Sequence, residues 1–162
     1  MRNRLLPLFA LVALSSCERV PEKAAVEIQQ AQNDRIKAMY AMRAIGIEFV
    51  AMFEQGSIQP DRARELSALL VDQAQNLPKH FSKQPSKLVN TPSLVRSEVW
   101  ANKAAFASAL SDFSRKTQLL KQVADATPDR NLKKIYPFLV DAGNSCTSCH
   151  THYRVGGDPP HR

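Results

Sequence analysis

Leu139-Val140-Asp141-Ala142-Gly143-Asn144-Ser145-Cys146-Thr147-Ser148-Cys149-His150-Thr151-His152-Tyr153 is the stretch from which the fold is read. Residues suited to a core recur at Leu132, Ile135, Leu139, Ala142, Cys146, Cys149 and Tyr153. These steps of three and four predict an amphipathic helix with both thiols on its core face. Cys146, Cys149 and His150 then stand at i, i+3 and i+4 and project from one side of a single turn. C-x-x-C-H is the spacing of a covalent haem attachment site. Two such thiols can add to the vinyl groups along one porphyrin edge, and the imidazole below the ring can bond the iron. Thr147 and Ser148 point elsewhere.

Two other chemistries use paired cysteines. A zinc site calls for a second ligand pair at a distance. His152 as fourth ligand would crowd four donors into seven residues, too few to wrap a tetrahedral ion. A redox dithiol is expected beside a strand–helix unit, and the chain has no convincing strand pattern. Haem c, one per chain, is the cofactor expected.

The 162 residues bound a single domain. Leucine, alanine and lysine recur, and five glycines suit an all-helical chain. Residues 1–16 read as a signal peptide: basic Met1-Arg2-Asn3-Arg4, an apolar run from Leu5 to Leu14, then Ser15-Ser16. The apolar run is too short for a membrane span. Leu14-Ser15-Ser16-Cys17 resembles a bacterial lipobox, which makes Cys17 the lipidation site. This accounts for all three cysteines, one carrying lipid and two carrying haem, where an ordinary signal peptide leaves an odd thiol. A periplasmic domain tethered to a membrane through Cys17 is expected, with residues 17–26 as tether and start of the first helix.

Cleavage before Cys17 removes Arg2 and Arg4 and lowers the formal charge from +7 to +5. That balance suits an acidic redox partner or an anionic surface. It lacks the dense cationic clustering of a nucleic-acid binder.

Four helices are predicted. The first runs from Pro21 or Glu22 to Gln55 and stops at Gly56, with Ile28, Gln32, Arg35, Met39, Met42, Gly46, Phe49 and Phe53 along its stripe. The second opens at Pro60, buries Ala63, Leu66, Leu70, Ala74 and Leu77, and ends at Pro78. Thr91-Pro92 and Thr127-Pro128 read as starts of the third and fourth. The third carries Val99, Phe106, Leu110, Phe113, Thr117, Leu120 and Ala124 inward. Pro137 should kink or break the fourth near Ile135–Pro137. Short, longer and short connections imply an up-down-up-down four-helix bundle over residues 27–155, with 156–162 as a tail. In that topology Arg35, Met39, the loop 79–91, Trp100 and the C-x-x-C-H turn share one pole.

A charge on a buried stripe is costly unless paired, which makes haem propionates natural partners for Arg35; the alternative is snorkelling from the bundle end. Met39, one turn on, either ligates iron or roofs it. Lys79, Lys83, Lys87 and Arg96 lie in an acid-free stretch, residues 73–97, and form either a docking patch or an ordinary soluble loop. His80 and His152 are read as surface histidines, with His80 a minor candidate for a sixth ligand. His161 is read as idle.

Arg35 and Met39, Arg96-Ser97-Glu98-Val99-Trp100 with Phe106, and Cys146-Thr147-Ser148-Cys149-His150-Thr151-His152-Tyr153-Arg154 together resemble the cytochrome c′ family and its low-spin class II relatives. The resemblance runs from about Glu27 to Arg154. It implies that Arg35 contacts a propionate, Met39 sits over the distal face and Arg154 lies beside the proximal His150. It also leaves room for a homodimer. Pro137 and the lipobox depart from the family pattern.

Two functions follow as expectations. The first is a monohaem electron carrier, whose potential His/Met ligation by Met39 would raise. The second is a five-coordinate haem protein that binds nitric oxide or carbon monoxide in an apolar distal pocket. A peroxidase-type enzyme would need an acid–base group above the iron; none is evident around Met39 and Met42, so no catalysis is expected.

Overall fold

The computed structural model describes residues 22–56, 59–84, 93–127 and 131–156. The signal segment, Cys17, Lys87, Thr91-Pro92, Pro128 and His161 lie outside them. Helix α1 spans Glu22–Glu54, α2 Pro60–His80, α3 Glu98–Ala101, α4 Lys103–Asp125 and α5 Leu132–Tyr153. The four long helices form the bundle, and α3 is a single turn leading into α4.

The α2 and α4 stripes are buried as the sequence predicts. Ala63, Leu66, Leu70, Ala74 and Leu77 on α2 meet Val99, Phe106, Leu110, Phe113 and Leu120 in one core cluster. In α1 the buried residues are Gln32, Arg35, Ala38, Ile45, Phe49 and Met52. Ala38, Ile45 and Met52 therefore take core places that the heptad reading assigned to Met39, Gly46 and Phe53. Ala38, Ile45 and Met52 stand seven residues apart, so the 3.5 repeat holds and the predicted stripe is offset by one residue at every second position from Met39 on.

Helix ends depart from the predicted starts and stops. Gly56 does end the α1 region, at φ 61°, where a side chain would be strained. Pro78 lies inside the last turn of α2, where its missing donor costs one bond and the helix continues to His80. Residues 93–97 are not helical, so the third helical segment opens at Glu98. Val95 is instead drawn into an isolated antiparallel bridge with Arg154. Asn102 then interrupts the helix at φ −124°, and its side chain accepts from the Ala105 amide as the cap of α4. Thr127 does not open α5. Its hydroxyl donates to Val123 O and closes α4, and α5 starts at Leu132.

Pro137 does not break α5, which runs unbroken from Leu132 to Tyr153. It stands in the second turn, where the absent N–H removes only an early bond to Lys133.

Helix α2 packs closely on α4, α4 on α5 and α1 on α2, whereas α1 and α5 approach each other much less. Side-chain ties fix this order. Arg62 forks onto both oxygens of Glu48, joining α2 to α1. Ser145 Oγ donates to Asp112 Oδ2 at 3.1 Å, and Lys116 bridges Asp112 and Asp141, also at 3.1 Å each. These bonds hold α5 on α4 one residue before the first thiol. No helix among the described residues is long and apolar enough to cross a membrane.

Candidate functional site

The last two turns of α5 present Cys146, Cys149 and His150, all half-buried. Neither thiol is in a disulfide. Both pack against the edge of the core cluster, as do Met39, Met42, Phe81, Trp100 and Tyr153. Burial raises the Cys149 thiol above its ordinary value and favours the protonated form. Met39 and Met42 stand on α1 and the two thiols on α5, helices that approach each other little.

Arg35 is 3% exposed. Its Nη1 donates to His80 O at 2.6 Å and Lys83 O at 3.1 Å, carbonyls at the end of α2 and just beyond it. Its guanidinium carbon lies 5.5 Å from the Phe81 ring centre and 5.9 Å from that of Trp100. Trp100 Nε1 in turn donates to Phe81 O at 3.0 Å. Burial lowers the Arg35 pKa from its usual value; a guanidinium nevertheless stays charged in proteins. Its Nη2 is buried with no hydrogen-bond partner among the described residues. A buried cationic donor of this kind calls for an anionic acceptor.

The pole predicted from topology is thus assembled: the start of α1, the end of α2, the start of α3 and the end of α5 meet there. Arg154 joins it through the backbone. Arg96 N donates to Tyr153 O at 2.9 Å and Val155 N to Leu94 O at 2.7 Å. Arg96 Nε reaches Arg154 O at 3.1 Å.

The basic patch is less uniform than its sequence. Lys83 pairs with Glu27 at 3.1 Å, Lys79 bonds Asn76, and Arg96 is turned onto the α5 terminus. His152 is exposed, its Nδ1 2.8 Å from Ser148 O. Phe81 was absent from the sequence-level site. The signal available was an aromatic residue standing alone among the cations of the loop after α2. A groove of about 800 Å³ follows the α2–α4 seam and ends at Phe81 and Trp100; the thiols and His150 do not line it.

A helical bundle whose last turns offer two thiols and an imidazole on one face defines a class, the c-type haem proteins. The family is narrower. The family model described as Cytochrome C′ matches residues 30–154, and the chain belongs to the cytochrome c′ family. Its cofactor is one covalently attached haem c. Three solved structures illustrate the shared fold. Cytochrome c′ from Thermochromatium tepidum is 19% identical, with TM-score 0.69, over 79% of this chain and 96% of that one. A cytochrome c′ described as having an unusual ligand-controlled dimer dissociation is 19% identical, with TM-score 0.72 and the same coverage. A nitric oxide complex of a point variant from Alcaligenes xylosoxidans is 21% identical, with TM-score 0.68, over 79% and 96%. A comparison with curated protein sequences gave no significant match.

The residues present fit the haem. Arg35 Nη2 offers a buried charge-bearing donor for a propionate, and the half-buried thiols and methionines pack against one core cluster.

Proposed function

We propose that this chain is a periplasmic haem c protein that binds nitric oxide or carbon monoxide at an open distal face. Cys146 and Cys149 hold the porphyrin, His150 is the proximal iron ligand and Arg35 anchors a propionate. Haem supplies a redox-active iron able to coordinate a diatomic gas. Arg35 fixes the ring's tilt, Met39 roofs it, and the surrounding core keeps water out.

One observation carries this reading. Arg35 is buried with a donor to spare, and Met39 follows one turn later among apolar side chains. Four residues of helix advance about 6 Å, so Met39 would lie within reach of a group whose carboxylate Arg35 held. The described residues packed beside Met39 in the core cluster are apolar, and with Arg35 engaged by a propionate such cover favours uncharged diatomics over stabilised dioxygen. The nitric oxide complex of the Alcaligenes relative supports the same choice.

Electron transfer is the second reading, favoured by Met39 itself, a thioether that could close a His/Met pair. Met39→Leu separates the two. A ferric spectrum unchanged by the substitution supports the open site. Conversion from low-spin to high-spin bands makes Met39 a ligand and the protein a carrier, with an acidic partner the natural match for its charge.

A homodimer is proposed through the outer face of α1. Ile36, Tyr40, Ile47 and Val50 form an exposed stripe there, with Tyr40 67% and Ile47 57% exposed. Lipidation at Cys17 is proposed on the lipobox alone. If Cys17→Ser leaves the protein in the membrane fraction, that tether is wrong.

A further inference from the structure

The C-terminus of α5 is closed by residues from another part of the chain. A helix leaves its last carbonyls without intrahelical donors, and here Arg96 supplies two. Its backbone N–H donates to Tyr153 O and its Nε to Arg154 O. Val155 N, from the other side, donates to Leu94 O, so Leu94–Arg96 and Tyr153–Val155 form a short antiparallel clamp around the Val95–Arg154 bridge. The clamp meets the haem turn directly, because Arg154 N donates to His150 O at 3.1 Å. Tyr153 is fixed as well, its ring edge-on to Phe106 with centroids 4.9 Å apart. A cation at this end also suits the helix dipole.

We infer that Arg96 is a positioning residue for the proximal histidine: by clamping Tyr153 and Arg154 it fixes the last turn of α5, and with it the orientation of the His150 imidazole toward iron. Arg96 touches neither haem nor iron in this scheme and acts through the backbone of 153–155. The inference rests on the assignment of His150 as proximal ligand. Its physical basis is that outer contacts of a metal-bound histidine set its ring orientation and bond strength. The cation is suited to this task because its side-chain donor reaches the same two-residue segment that its backbone donor holds. The sequence separation of 58 residues makes the clamp a tertiary restraint rather than a local cap.

The test uses the haem-loaded wild type, Arg96→Ala and Arg96→Lys. Two readouts are taken: hydrogen exchange of the Val155 amide, and the iron–histidine stretching band of the ferrous protein by resonance Raman. In Arg96→Ala, exchange at Val155 should accelerate on the order of tenfold, the scale of one hydrogen bond, and the band should shift or broaden. Arg96→Lys, which keeps the charge and one donor, should fall between wild type and Arg96→Ala on both. Faster exchange with an unmoved band means a purely structural clamp and overturns the inference, as does unchanged exchange. A high-spin ferrous wild type lacking any iron–histidine band overturns the assignment of His150 together with this inference. A low-spin ferrous wild type, with Met39 as sixth ligand, overturns the open-site reading, and the inference is then tested by the same two variants on the Val155 exchange and the visible spectrum. A wild-type band that Arg96→Ala leaves unmoved overturns this inference alone.

Discussion

Arg35 Nη1 lies 2.6 Å from the carbonyl of His80, 45 residues away. One buried cation thereby ties the first half of α1 to the end of α2, while its other terminal nitrogen has no hydrogen-bond partner among the described residues. Arg35→Ala should cost about 1.5–3 kcal/mol, the range for hydrogen bonds to a charged group. Arg35→Lys should recover little, because an ammonium lacks the planar fork that serves carbonyls and a carboxylate at once. Urea unfolding of the haem-loaded protein checks both; near-wild-type stability for Arg35→Ala would show that the carbonyl bonds contribute little.

The packed middle of the bundle gives a reference for that cost. Leu120 is fully buried between the stripes of its neighbours. Leu120→Ala should destabilise by about 2–5 kcal/mol through lost burial and the cavity left behind. It should leave the haem spectrum in place, since Leu120 lies far along α4 from the pole. A spectral change would mean that the core and the haem pole are mechanically coupled.

Asp112 makes the attachment of α5 pH-dependent. Hydrogen bonds from Arg115, then from Lys116 and Ser145, hold its carboxyl below the ordinary 3.8. Its folded pKa is thus lower than its unfolded one. The stabilisation is present above about pH 3.8 and is lost as the pH falls through the lower folded value. Because the group is partly exposed and screened, the contribution stays under about 1 kcal/mol. Asp112→Asn should therefore be slightly less stable than wild type at pH 7, with the gap closing in acid. Unfolding curves at pH 7 and near pH 3 measure it, and a gap that persists in acid would assign the effect to packing instead.

The exposed α1 stripe tests the homodimer. Ile47→Glu places a charge in the middle of Ile36, Tyr40 and Val50 and should yield a monomer by sedimentation. A wild type that is already monomeric removes the proposal.

How far the sequence can be read differs by element. The α2 and α4 stripes were legible because each helix keeps one face toward the core for its whole length. The haem turn was legible because its chemistry lies within five adjacent residues. In α1 the heptad spacing held, but Ala38, Ile45 and Met52 took the places expected of Met39, Gly46 and Phe53, since two adjacent apolar positions cannot be told apart by period alone. Thr91-Pro92 and Thr127-Pro128 carried sound start signals, but the first described helical turns open at Glu98 and Leu132. Asn102 and the Val95–Arg154 bridge prevailed over local propensity near the third helix. Arg35 was recognised as a buried cation, while its partners were not. They are main-chain carbonyls, which leave no mark in residue type. The same is true of Arg96 and Arg154.

The most direct measurement is carbon monoxide added to the ferrous haem protein and followed in the optical spectrum. An open distal face under Met39 predicts a high-spin ferrous spectrum that converts fully to a carbon monoxide complex, with the haem surviving acid–acetone extraction because Cys146 and Cys149 hold it. A low-spin ferrous spectrum indifferent to carbon monoxide would contradict the account and give the sixth position to Met39.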